Sequence, residues 1–194
     1  MMKQYFALLV IVLIFFSCSD KKENVSIKGS FKETHPHKIY LKRLSKEGVI
    51  TIDSSEISKD GRFDLGCYTE GPSFYVLWVE NSRGITLIAY PGDKIEVYIN
   101  SKQFDVDYSV AKSPDSRRVS KLVRQQHQTL EQITELSNEF ERIRNNTDFI
   151  SRKTLLDSIY DDIFRKHKAF SEQFILEEPG SLANLMALDQ QLGR

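Results

Sequence analysis

Residues 49–67 read VITIDSSEISKDGRFDLGC, two strand-like runs separated by Asp60-Gly61. Asp-Gly between such runs is the strongest short-range hairpin signal, because a two-residue hairpin turn needs positive φ at both central positions. Working outward, the surrounding sequence keeps a period of two from Val25 to about Val110. Val25, Ile27 and Phe31 alternate with Ser26, Lys28 and Ser30, and Ile39 and Leu41 alternate with Lys38, Tyr40 and Lys42. Ile95, Val97 and Ile99 alternate with Lys94, Glu96 and Tyr98, and Phe104, Val106 and Tyr108 with Gln103, Asp105 and Asp107, the last strand of the series. Such runs predict strands with one face on a core and one in water. SFYVLWVE, 73–80, is apolar on both faces and predicts a central strand covered on both sides. Pro91-Gly92 predicts a turn with proline at its second position and glycine at its third, and NSRG at 81–84 separates two further strands. Seven or eight short strands at this spacing predict an antiparallel β sandwich or barrel over residues 25–111.

The period then becomes helical. Ser113-Pro114 combines a capping side chain with proline at the first helical position. Val119, Leu122, Val123, Leu130, Ile133, Leu136, Phe140 and Ile143 recur at threes and fours, and RNNTD ends the run. A second series, Leu156, Tyr160, Ile163, His167, Phe170 and Phe174, predicts an antiparallel helical hairpin. Pro179-Gly180 breaks the second helix, and Ser181 is placed to cap a short third one carrying Leu182, Leu185 and Leu188. The fold class is therefore α+β, with residues 112–194 forming the helical region.

The N-terminus is different material. A short basic start precedes an unbroken apolar run, Tyr5 to Phe16, that ends at Ser17-Cys18. The run is shorter than the roughly 20 residues needed to span a bilayer, so residues 1–17 read as a secretion signal. FFSC resembles the end of a bacterial lipoprotein signal, with Phe15 at a position more often held by Leu. That resemblance implies cleavage before Cys18, diacylglycerol on its thiol and acylation of the new N-terminus. Ordinary secretion and an uncleaved anchor are the alternatives. Residues 18–24, polar and charged apart from the anchor itself, read as a flexible tether. A lipidated Cys18 leaves Cys67 without a disulfide partner in the chain, and Cys67 is expected to be a small buried or half-buried strand residue.

The 194 residues suffice for a core of their own, and the composition, 40% hydrophobic and 28% charged, is that of a globular domain. The 27 basic and 27 acidic side chains cancel, which offers no footprint for nucleic acid. No phosphate loop, Gly-x-Ser-x-Gly elbow, His-Glu-x-x-His helix or Cys-x-x-Cys pair occurs, and the expectation is no catalytic residue, no cofactor and no metal. His35 and His37 are spaced as a ligand pair without a third ligand and read as a solvated loop. His167, on the apolar seam of its helix, reads as an interface histidine. Asp157, Asp161 and Asp162 read as a solvated face paired with neighbouring Lys and Arg. Trp78 and Tyr75 point to opposite faces of one strand, where a tryptophan is ordinarily core. Tyr40 and Tyr98 lie on the polar sides of their strands and are the first candidates for ligand stacking.

The order of VSIKGSF, KIYLKRL, IDSSEISKDGRFDLG, LIAYPGDKIEVYI, a helical pair and EEPGSLANLMAL resembles the N-terminal domain of unknown function of thioredoxin-like lipoproteins of Bacteroidota. Asp60, Gly61 and Phe63, and Pro91, Gly92 and Asp93, are the marks that carry the resemblance. In that family the segment like PGSLANLMAL leads into a thioredoxin-like domain with Trp-Cys-x-x-Cys, and this sequence contains no such motif. The resemblance implies a non-catalytic, lipid-anchored envelope module, on the outer membrane above all, that positions a redox domain or its client. Its expected partners are the membrane, through Cys18, and a thioredoxin-like domain or other envelope protein. The alternative is a stand-alone lipoprotein that binds a glycan or peptide.

Overall fold

The computed structural model describes residues 22–33, 36–46, 48–80, 84–100 and 103–192. The strands are β1 (Val25–Phe31), β2 (Lys38–Ser45), β3 (Gly48–Glu56), β4 (Arg62–Cys67), β5 (Ser73–Trp78), β6 (Ile85–Ala89), β7 (Lys94–Ile99) and β8 (Tyr108–Ala111). The helices are α1 (Pro114–Ile143), α2 (Phe149–Glu177) and α3 (Asn184–Leu192). The strands form two four-stranded sheets, ordered β4-β1-β7-β8 and β3-β2-β5-β6. Their inner faces share one core, in which Ile27, Ile39, Leu41, Tyr75, Leu77, Ile85, Leu87, Ile95 and Val97 are fully buried. The fold is thus an open sandwich followed by helices, and it does not close into a barrel.

A second, smaller core makes the helices a third layer. Ile88 and Phe74, on the outer face of the second sheet, pack against Val119 and Leu122 of α1, Phe174 of α2, and Ala183 and Ala187 at α3. The start of α1 also closes an edge. Ser113 caps the helix by accepting from the Ser116 backbone N–H at 3.3 Å. The Ser116 hydroxyl accepts from the Ile88 N–H and donates to the Ile88 carbonyl, both at 2.9 Å. β6 is the last strand of its sheet, so a serine here stands in for the missing neighbour strand.

Several expectations change. β1 and β7 pair in parallel, Ser26 opposite Lys94 and Phe31 opposite Ile99, which makes the first sheet mixed. Asp60-Gly61 does not form the expected two-residue turn. Gly61 alone has positive φ, at 79°, its N–H donates to Ser58 O at 2.8 Å, and the Ser58 N–H donates to Arg62 O at 2.9 Å. This is the three-residue pattern with glycine in the left-handed position. The strands it joins, β3 and β4, then diverge into different sheets. The Pro91-Gly92 turn forms as expected, with Gly92 at φ 92° and Asp93 N donating to Tyr90 O at 3.1 Å, but it too crosses between sheets. The last strand begins only at Tyr108. At α3 the buried apolar positions are Ala183 and Ala187, while Leu185 and Leu188 are exposed, because the small residues let the helix approach Ile88 closely.

Candidate functional site

The two ends of the sandwich differ in what they hold. At one end the chain enters through Asn24, whose four polar groups are all engaged. Its N–H donates to Cys67 O (3.1 Å), its carbonyl accepts from Gly92 N (2.8 Å), its side-chain amide donates to Thr69 O (2.8 Å), and its Oδ1 accepts from Thr69 N (3.0 Å). The same end carries the Tyr90–Asp93 turn and the start of α1, joined where the Tyr90 hydroxyl donates to Asp115 Oδ2 at 2.6 Å. Asp115 also accepts from the Ser181 hydroxyl at 2.5 Å, which ties in the turn before α3. The Asp115 carboxylate that takes the Tyr90 hydrogen bond, aided by burial, pushes the phenol up to about 12.

From this end α1 runs the length of the sandwich. Farther along it, His127, Leu130, Glu131 and Thr134 face Gln103, Asp105 and Val106 of the loop between β7 and β8, across a groove of about 430 Å³. That loop lies at the opposite end of the strands, since the beginning of β7 adjoins the Tyr90–Asp93 turn. A 30-residue helix spans about 45 Å and a six-residue strand about 20 Å, so the hairpin overhangs the sandwich at the end away from Asn24. Along the hairpin lies a groove of about 260 Å³, lined by Leu136, Phe140, Leu156 and Tyr160 and also by Ser137, Glu141 and Asp157. Phe140 and Phe149 meet edge-on, with centroids 5.6 Å apart, near the tip.

His167 is buried, with Nδ1 at 3.1 Å from the Thr129 hydroxyl across the hairpin, the interface role its spacing indicates. Asp157 pairs with Lys153, and Asp162 with Lys166 and Arg165, which hold its carboxyl below the usual range. Asp161 is exposed. Cys67 is buried at the end of β4, and burial pushes its thiol up. His37 is exposed, whereas His35 and Cys18 lie outside the described residues. Among the described residues no group of three or more His, Cys, Asp or Glu is placed to hold a metal ion. No helix among them is long and apolar enough to cross a membrane.

The aromatic candidates separate. Tyr75 is fully buried, but Trp78 is half-buried on the outer face of the second sheet and not in the core. Phe74, Val76 and Trp78 all turn outward, and the second core takes in only Phe74 of the three. Tyr40 stands directly opposite Trp78, ring centroids 5.6 Å apart. Lys42 places its ammonium 3.5 Å from the Trp78 ring centre, and Lys38 lies 5.3 Å from that of Tyr40. Tyr98 is on the other sheet and donates its hydroxyl to Glu96 at 2.9 Å, so the two candidate tyrosines cannot share a ligand. Sequence reasoning missed Trp78 as an outward residue and Lys42 as its companion. The alternation of 38, 40 and 42 was the available signal, and the pairing of β2 with β5 was not.

Residues 25–119 match the family model described as a domain of unknown function (DUF4369), which takes in all eight strands and the start of α1. No curated protein and no solved structure matches the chain.

Proposed function

We propose that this chain is a non-catalytic module of a bacterial cell envelope, anchored through lipid on Cys18, that positions a redox domain or its client. The observation that carries the reading is the opposition of the two ends. Asn24 fixes the exit of the tether at one, and the groove of the helical hairpin lies toward the other. Residues 18–23 reach at most about 20 Å, so an anchor at Cys18 keeps the Asn24 end close to the bilayer and turns the hairpin tip away from it. Buried polar side chains support a scaffold role, because they are spent on joining elements. Asp115 links Tyr90 to Ser181, Ser116 closes the edge of β6, and Arg118 donates to Phe174 O and Asn184 Oδ1.

The anchor and the partner are tested separately. Cys18→Ala is expected to abolish palmitate labelling and release the protein from membranes, and retention of label in that variant refutes the anchor. A photo-crosslinking residue at Tyr160, beside the hairpin groove, is expected to capture a thioredoxin-like protein from the envelope. Crosslinked envelopes that yield no redox protein from this position refute the partner.

A further inference from the structure

The exposed part of the second sheet's outer face carries an arrangement that the anchor and hairpin do not use. Its register sets out a grid. Ser54, Tyr40 and Trp78 form one row, and Thr51, Lys42, Val76 and Thr86 form the next. The helices cover Phe74 and Ile88 on the following row and stop there, so the grid forms a shelf beside the helical layer.

The other outer face provides a contrast. On the first sheet Lys28 pairs with Asp64 at 3.1 Å, Lys112 pairs with Glu96 at 2.6 Å, and Glu96 also engages Tyr98. Lys28, Asp64, Glu96 and Lys112 thus answer one another, while Lys94 stands exposed at the start of β7. On the shelf, Lys38 and Lys42 lie over rings, and Glu56 faces Lys38 at the far corner. Among the described residues neither lysine is within ion-pair distance of a carboxylate, and Lys42 lies directly against Trp78.

We propose that the Tyr40–Trp78–Lys42 shelf is a binding site for acidic glycans, chains of sugars bearing carboxylates. A pyranose presents an apolar face of C–H groups that packs on an aromatic ring, and the two adjacent rings offer places for successive sugars once the flexible Lys42 and Lys38 side chains swing off them onto the ligand. The carboxylate of a uronic acid supplies the anion that Lys42 lacks, and a charge-assisted hydrogen bond to it is stronger than one to a neutral hydroxyl. Thr51, Ser54 and Thr86 border the rings with hydroxyls suited to sugar oxygens. An acidic peptide satisfies the lysine but gives the paired rings nothing comparable to stack on. A purely structural role for the cluster, a cation–π contact strengthening the sheet, predicts no response to any ligand.

Trp78 is the only tryptophan in the chain, so its emission reports this site alone. The experiment titrates the protein with tetragalacturonate, with a neutral galactose tetramer and with tetraglutamate, following Trp78 fluorescence and heat by calorimetry. Tetragalacturonate is expected to shift the emission saturably, with binding that weakens as salt is raised. Lys42→Met is expected to weaken it about tenfold while leaving the circular dichroism unchanged. Tyr40→Ala is expected to weaken the galacturonate further. The proposal is overturned by the absence of a saturable signal, by heat of binding without a Trp78 response, by an equal response to the neutral sugar or the peptide, or by Lys42→Met binding as the wild type does.

Discussion

Replacing Ser116 with alanine tests whether the start of α1 completes the edge of the second sheet. Ser116 is fully buried, and its hydroxyl is acceptor for the Ile88 N–H and donor to the Ile88 carbonyl, each at 2.9 Å. The variant removes both bonds and leaves a void too small to admit a hydrating water readily. The carbonyl keeps the Ser113 hydroxyl at 3.2 Å, whereas the N–H is orphaned. Burying one unsatisfied backbone donor costs about 1–3 kcal/mol, and loss of the second, partly replaced bond adds up to about 1 kcal/mol. The expected loss is therefore about 1–4 kcal/mol in urea unfolding followed by Trp78 emission, with an unchanged m-value. The control is Ser109→Ala, an exposed residue of β8, expected within about 0.5 kcal/mol of wild type. A Ser116→Ala loss no larger than that control would refute the reasoning, because it would mean that β6 needs no partner on that side.

Gly29→Ala should be more disruptive than a strand glycine ordinarily is, since an added Cβ meets Phe63 Cζ at 2.2 Å and Val97 O at 2.7 Å; a loss below about 1 kcal/mol in the same unfolding assay counts against this close packing. Tyr90, raised to about 12 by its bond to Asp115, should titrate in ultraviolet absorbance about two units above a free tyrosine and move back toward 10 in Asp115→Asn. Because the folded state holds this proton more tightly, its contribution to stability is complete below pH 10 and declines as pH rises toward 12; an unfolding free energy flat across that window contradicts the assignment. Cys67, buried and with its thiol pushed up, should resist a thiol reagent at pH 8 until denaturant opens the sandwich, and rapid labelling of the native protein would show that β4 is not packed as described.

What was legible in the sequence was local. Ser113-Pro114 marked the start of α1, and the alternation of Ile95, Val97 and Ile99 marked a half-buried strand, because capping and period two are set by immediate neighbours. Pro91-Gly92 gave the turn itself for the same reason. Neither it nor Asp60-Gly61 could give the sheet to which the next strand goes, since that depends on the β1–β7 and β2–β5 pairings between distant segments. The candidate surface failed to emerge on the same ground. Tyr40 was legible as outward-facing, but its adjacency to Trp78 is a fact of pairing. Leu185 misled because leucines usually mark a helix's buried stripe, and here the alanines do. His167 did not mislead, since its place on the seam of α2 follows from helical spacing alone.

The parallel pairing of β1 with β7 also sets the order in which the sandwich can form. Ser26 cannot meet Lys94 until everything between them has left the ribosome, and β1 lies in the middle of its sheet. The first sheet is therefore assembled late, whereas β2 can pair with β3, and β5 with β6, as each hairpin emerges. Non-local pairing slows folding, and β1 can gain β4 once Cys67 is free but must wait for Lys94–Ile99 on its other side. Until Ile99 follows, β1 keeps one edge of its backbone without a neighbouring strand, although β4 already covers the other.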